Sequence, residues 1–193
     1  MTPLEAQQRL AYRIAGMAMG AFLRGLKVES VQAFGFRDDI VIRGLDSPAI
    51  LLRPDASYEM KAPVVMQRGM LEMAALMSLA KYLGVSDPYA LNVDNLKNAK
   101  MLVGILEPGP HKAEGLLERL RAEAEELVHN NWAQITATAE AMVKQGRVES
   151  DALVDLLSYG KAQPFAPKPL PRETNGLDGM DANPNVNRVT YFV

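Results

Sequence analysis

Apolar residues recur at helical spacing from the start of the chain. Leu10, Ile14, Met17, Ala18, Ala21 and Phe22 share one side of a 3.6-residue period, which predicts an amphipathic helix over residues 3 to 24. Thr2, Pro3 and Glu5 carry a capping-box signature at its start, and Gly25 ends it. Between residues 27 and 53 the runs become short and β-branched (KVESVQAFGF, DIVIRG, AILLR), which predicts two or three strands of a small sheet. Residues 58 to 82 are helical again. Their apolar middle, MLEMAALMSLA, reads as a buried central helix that Gly84 closes. Pro63 is expected to mark its true start, because proline fits the first helical turn.

Asp94 is expected to cap a further helix through about Ile105, with Pro108-Gly109-Pro110 as its terminator. The longest predicted helix covers residues 112 to 145, with Leu116, Leu120, Leu127, Ile135, Ala139 and Met142 as its buried stripe. Gly146 stops it, and Ser150 is expected to cap a short last helix bearing Leu153, Leu156 and Leu157. Residues 163 to 193 differ in kind, with five of the twelve prolines and no helical period. They read as an extended tail that cannot bury enough apolar surface to order itself alone. Its end, RVTYFV, alternates like a strand. The predicted organisation is a domain over residues 1 to 162 and a tail over 163 to 193. The fold class is α+β and mainly helical: a small N-terminal β-sheet flanked by helices, then a helical bundle and the extended tail.

The formal charge of −2 argues against nucleic acid, which would call for a basic face. No uncharged apolar run approaches the roughly 18 residues of a membrane span, so no membrane partner is expected. The first ten residues lack the basic start and apolar stretch of a signal peptide. Cysteine is absent, which removes thiolate catalysis and thiolate metal sites and points to a reducing, cytoplasmic setting.

Candidate chemistry is sparse. The only histidines, His111 and His129, lie roughly 27 Å apart on a continuous helix and cannot share a metal ion. Ser78 and Lys81 have the S-x-x-K spacing of a serine–lysine nucleophile. The plainer reading has Ser78 buried and Lys81 extending to the helix surface. Asp38-Asp39 fits a turn. Glu123, Glu125 and Glu126 fit a solvated helix face, with Arg121 and Glu125 spaced as a surface pair. Gly16 and Gly20, mid-helix, weaken it by about 1 kcal/mol each relative to alanine, so they are expected to admit another backbone at close range. The eleven methionines read as pliable core filling.

Residues 11 to 18, AYRIAGMA, resemble the AYHEAGHA segment of the FtsH-type zinc metallopeptidases. In that family the two histidines of H-E-x-x-H bind zinc and the glutamate activates water. Three further stretches are similar in order. Residues 23 to 31 look like the exit into the first strand, and residues 70 to 83 like the central small-residue helix. Residues 129 to 135, through Val148 and Leu153, look like the terminal helix pair. Residues 93 to 99, VDNLKNA, resemble N-D-L-x-x-A, whose aspartate is the third zinc ligand. Aligned on Leu96 and Ala99, that position holds Asn95, with Asp94 one residue away. The resemblance covers residues 9 to 157 and lacks the family's membrane and ATPase parts.

The resemblance implies a peptidase-like fold without its chemistry. Arg13 and Met17 stand at the histidine positions and Ile14 at the glutamate. Arginine stays protonated, methionine is a poor zinc ligand and isoleucine moves no proton. Ile14 and Met17 are expected to pack on the central helix, and Arg13 to turn toward an acidic group or solvent. No cofactor and no metal are expected. The function this suggests is a pseudopeptidase, a structural or adaptor subunit that binds a protein partner through Val189, Tyr191, Phe192 and Val193. These could add a strand to a neighbour's sheet. A homo-oligomer stays open. The alternative is a hydrolase with a non-zinc site, for example at Ser78 and Lys81.

Overall fold

The computed structural model describes residues 1 to 34, 37 to 91 and 93 to 159. The expected tail, with Val189, Tyr191, Phe192 and Val193, lies outside the described residues.

Helix α1 (Pro3–Leu23) starts as its sequence dictates: Glu5 N–H donates to Thr2 Oγ1 at 3.2 Å, and Thr2 N–H donates to Glu5 Oε2 at 2.7 Å. Both otherwise unpaired amides are thereby satisfied. Gly25, at φ +73°, turns the chain into β1 (Lys27–Phe34), which pairs antiparallel with β2 (Arg37–Arg43). The register shifts at Glu29, between Val28 and Ser30, and Arg43 Nε reaches the Glu29 carboxylate at 2.6 Å.

The third predicted strand is not where AILLR placed it. Pro48–Leu52 is a 3-10 turn, capped by Ser47 Oγ on Ala49 N–H, because Pro48 favours a helical start. The third strand is β3 (Arg147–Glu149), which pairs antiparallel with residues Ser30 to Gln32 of β1 and gives the order β2-β1-β3. At three residues it has no period to betray it.

Helix α2 (Tyr58–Leu83) carries Pro63 inside it, so the proline does not mark its start. Lys61 N–H already bonds to the Ser57 carbonyl, so the helix is under way before the proline. Gly84, at φ +66°, ends α2. In α3 (Asp94–Leu106), Val93 occupies the cap and Asp94 is the first helical residue, paired with Lys97 at 3.2 Å. Gly109 and Pro110 open the next helix rather than merely ending the last.

The predicted long helix is two helices, α4 (Pro110–Asn130) and α5 (Trp132–Gln145). Asn131 is buried at the break, where its side-chain amide donates to the Leu127 carbonyl at 2.9 Å. The bend lets α4 pack on α2 while α5 packs on α1. The apolar stripe continues through the break, so the period does not reveal it. Glu149 caps α6 (Ser150–Ser158), and Ser150 is its first residue.

The fold is α+β and mainly helical, with α2 at its centre. Met70, Met73, Ala74, Leu76 and Leu79 are buried there, with α1, α3 and α4 around them. The close approach expected at Gly16 is present. A Cβ there would overlap Ser78 Oγ and stand 2.5 Å from the Ala74 carbonyl oxygen.

Glu123 corrects the reading of its cluster as solvated: it is buried and pairs with Arg119 Nε at 3.0 Å. Arg121 pairs backward with Glu118 at 3.1 Å, not forward with Glu125. His111 and His129 are exposed at opposite ends of α4.

Candidate functional site

The positions that the resemblance assigns to metal chemistry fall on α1 and α3, and one residue of α2 joins them. Ile14 is buried in the core. Met17, one turn from Arg13, is half-buried against it. Arg13 is half-buried as well. Across from it, Glu72 of α2 receives two amide donors from α3: Asn95 Nδ2 to Oε2 at 2.5 Å and Asn98 Nδ2 to Oε1 at 3.2 Å.

Burial raises the pKa of Glu72. The hydrogen bonds from Asn95 and Asn98, then the charges of Arg13 and Arg68, work against that rise. Burial lowers the pKa of Arg13, opposed by the Glu72 and Asp94 carboxylates. Arg68 is lowered by burial too, and it holds the Asp46 carbonyl through Nε at 3.1 Å and a terminal nitrogen at 2.9 Å. The result is a partly desolvated carboxylate, gripped by two amides, with two guanidinium groups in its field.

Asn95 rather than Asp94 is the inward residue of α3. Asn95 is only 6% exposed, whereas Asp94 lies at the surface with Lys97. Asn95 Oδ1 has no hydrogen-bond partner among the described residues.

Glu72 is the residue that sequence reasoning passed over. It is the single charge within MLEMAALMSLA, and a lone carboxylate in such a run was the signal that a partner had to exist. The expectation that Arg13 turns toward an acidic group is met by Glu72.

Arg, Met and Asn do not fit zinc. The guanidinium repels the cation, the thioether is soft, and the carboxamide oxygen carries no charge. Among the described residues no group of three or more histidine, aspartate or glutamate side chains is placed to hold a metal ion.

Ser78 and Lys81 part company. Ser78 is fully buried at the α1 crossing, with no hydrogen-bond partner for Oγ among the described residues. Lys81 is exposed, with Nζ 4.8 Å from the centroid of the Trp132 ring. Burial of its stem lowers its pKa. A serine sealed between two helices offers no surface to a substrate, as the plainer reading of this pair had it.

Beside this pair lies an aromatic stack. Tyr12 is 4.1 Å from Tyr82 and 5.4 Å from Trp132 between centroids, both stacked, and Tyr82 O–H donates to Gln8 Oε1 at 3.2 Å. Tyr12 and Gly16 come from one stretch of the resemblance, Asn95 and Trp132 from two others. Tyr12 and Gly16 of α1 meet α2 and α5, and Asn95 meets α2 from α3.

Among the described residues no helix is long and apolar enough to cross a membrane. Comparison with protein-family models and with curated proteins finds no match to this chain.

Proposed function

We propose that this chain is a non-catalytic interaction protein, a structural or adaptor subunit on a scaffold resembling the FtsH-type peptidases, acting in the cytoplasm. The observation that carries this reading is the Arg13–Glu72–Asn95 arrangement. Where the resemblance puts a metal cation between α1 and α3, a guanidinium supplies the positive charge and a carboxylate of α2 answers it. Such a network leaves no donor set for a Lewis acid or an activated water.

The expected sealing of the site region is supported by Ile14 and Ser78, both buried against neighbouring helices. The partner-binding role is assigned to the tail, whose alternating Val189, Tyr191 and Val193 suit strand addition to a neighbour's sheet edge.

Two readouts test the reading together. The purified full chain should contain no stoichiometric zinc and leave casein-like substrates intact. From its native source it should co-purify with a protein partner, and Tyr191→Asp with Val193→Asp should abolish that capture. Zinc near one per chain together with cleavage would overturn it.

A further inference from the structure

The two outer edges of the sheet differ. β3 is three residues long, too short to template another strand, while β2 runs seven residues with Ile40, Val41 and Ile42 at its middle. Among the described residues β2 pairs with β1 alone, so the backbone groups along its other side meet no strand. A long edge with a β-branched centre invites pairing unless something covers it. Ile40 and Ile42 pack on the core from one face, and Val41, on the opposite face, is half-buried. A strand added here would find apolar ground on both faces.

We propose that the outer edge of β2 is a strand-acceptor surface whose occupant is the chain's own segment 188–193, held there until a partner's sheet edge competes for it. This inference rests on the reading of the tail as a binding arm. Segment 188–193 has the alternation an added strand needs: Val189, Tyr191 and Val193 toward one face, Thr190 and Phe192 toward the other.

The tether has the right reach. α6 packs on β1 and β3, and the Tyr159 carbonyl accepts from Gln134 Nε2 of α5 at 2.7 Å, so the chain leaves from beside this sheet. Strands lie ~4.8 Å apart, which puts the outer edge of β2 only a strand or two beyond β1. A flexible chain as long as residues 160 to 187 would average ~30 Å from end to end, enough to cross that distance without being stretched. A tether of this kind holds its end at an effective concentration on the order of millimolar. A second copy at micromolar concentration cannot match that, so the chain's own segment is the favoured occupant.

The absence of cysteine gives a clean test. In the full chain, Val41→Cys is combined in turn with Val189→Cys, Thr190→Cys, Tyr191→Cys or Phe192→Cys, and each variant is oxidised at micromolar concentration. The expected result is a disulfide within one chain for one alternating pair, either 189 and 191 or 190 and 192, and little for the other pair. A disulfide-linked dimer would assign the edge to a second copy and overturn the proposal, as would the absence of any cross-link or of any alternation. A second readout needs no cysteine. Val189→Pro with Tyr191→Pro removes two backbone donors, and amide exchange along β2 should quicken at least tenfold; unchanged exchange contradicts the proposal.

Partner capture is scored separately. Cross-links with capture that survives the proline changes would retain the edge and reject the binding arm. Lost capture without cross-links would do the reverse.

Discussion

Asn95 on α3 donates its side-chain amide to Glu72 on α2 at 2.5 Å, and Arg13 on α1 adds its positive charge to the same carboxylate. Three helices thus meet at a group that none of their apolar patterns foretells. Hydrogen bonds donated to a carboxylate are stronger than those between neutral groups. Removing the donor leaves a half-buried acceptor unmatched, so Asn95→Ala should destabilise by about 1–3 kcal/mol in urea unfolding. A neutral result would mean that water satisfies Glu72 equally well.

Glu72 should also make stability depend on pH. Burial holds its pKa above the ordinary 4.5, so the folded state binds the proton more tightly than the unfolded chain. Its contribution is therefore fully present below pH 4.5 and is lost as the pH rises through the raised folded value. Glu72→Gln cannot titrate. Urea midpoints measured from pH 4.5 upward should fall less steeply for Glu72→Gln than for the unaltered chain, and parallel curves would contradict this cause.

Gly16 marks the tightest helix crossing. Its missing Cβ makes room for Ser78 and for the Ala74 carbonyl, and backbone cannot move aside as a flexible side chain does. Gly16→Ala should therefore destabilise, by about 1–3 kcal/mol or more, despite the higher helix propensity of alanine. Gly104 faces open space, so Gly104→Ala is the matched control and should be neutral or stabilising. Equal effects of the two changes would show that close packing is not what Gly16 provides.

Methionine truncations should separate core from margin. Met19 is fully buried whereas Met17 is half-buried at the edge of the core. Met19→Ala should lose about 2–5 kcal/mol and Met17→Ala clearly less, read from urea unfolding. The reverse order would place Met17, not Met19, at the centre of the α1 interface.

The helices and their burial were legible because each carries its own signal. The Thr2–Glu5 box, the stripe from Leu116 to Met142 and Gly16 of α1 all did in the structure what their chemistry requires, whereas Gly20 meets side chains rather than backbone. What escaped the sequence was set by tertiary context. The break at Asn131 leaves the stripe intact, and β3 is too short to show alternation. Pro63 sits inside α2, against the local expectation. At the candidate site, Arg13 and Asn95 stood out only through the resemblance. Glu72 was legible only as a lone carboxylate in an apolar run, because the two amides that answer it come from α3.

Zinc stoichiometry by elemental analysis tests most directly the proposal that Arg13, Met17 and Asn95 leave this scaffold without a metal site. It is measured on the unaltered chain and on the variant Arg13→His, Met17→His, Asn95→Asp, which supplies two imidazoles and a carboxylate. Without metal this variant sets two carboxylates close together in a desolvated place, so its midpoint should drop and then recover when zinc binds. The account predicts no bound zinc in the unaltered chain and about one per chain in the variant. One zinc per unaltered chain, or none in a variant that folds, would contradict it.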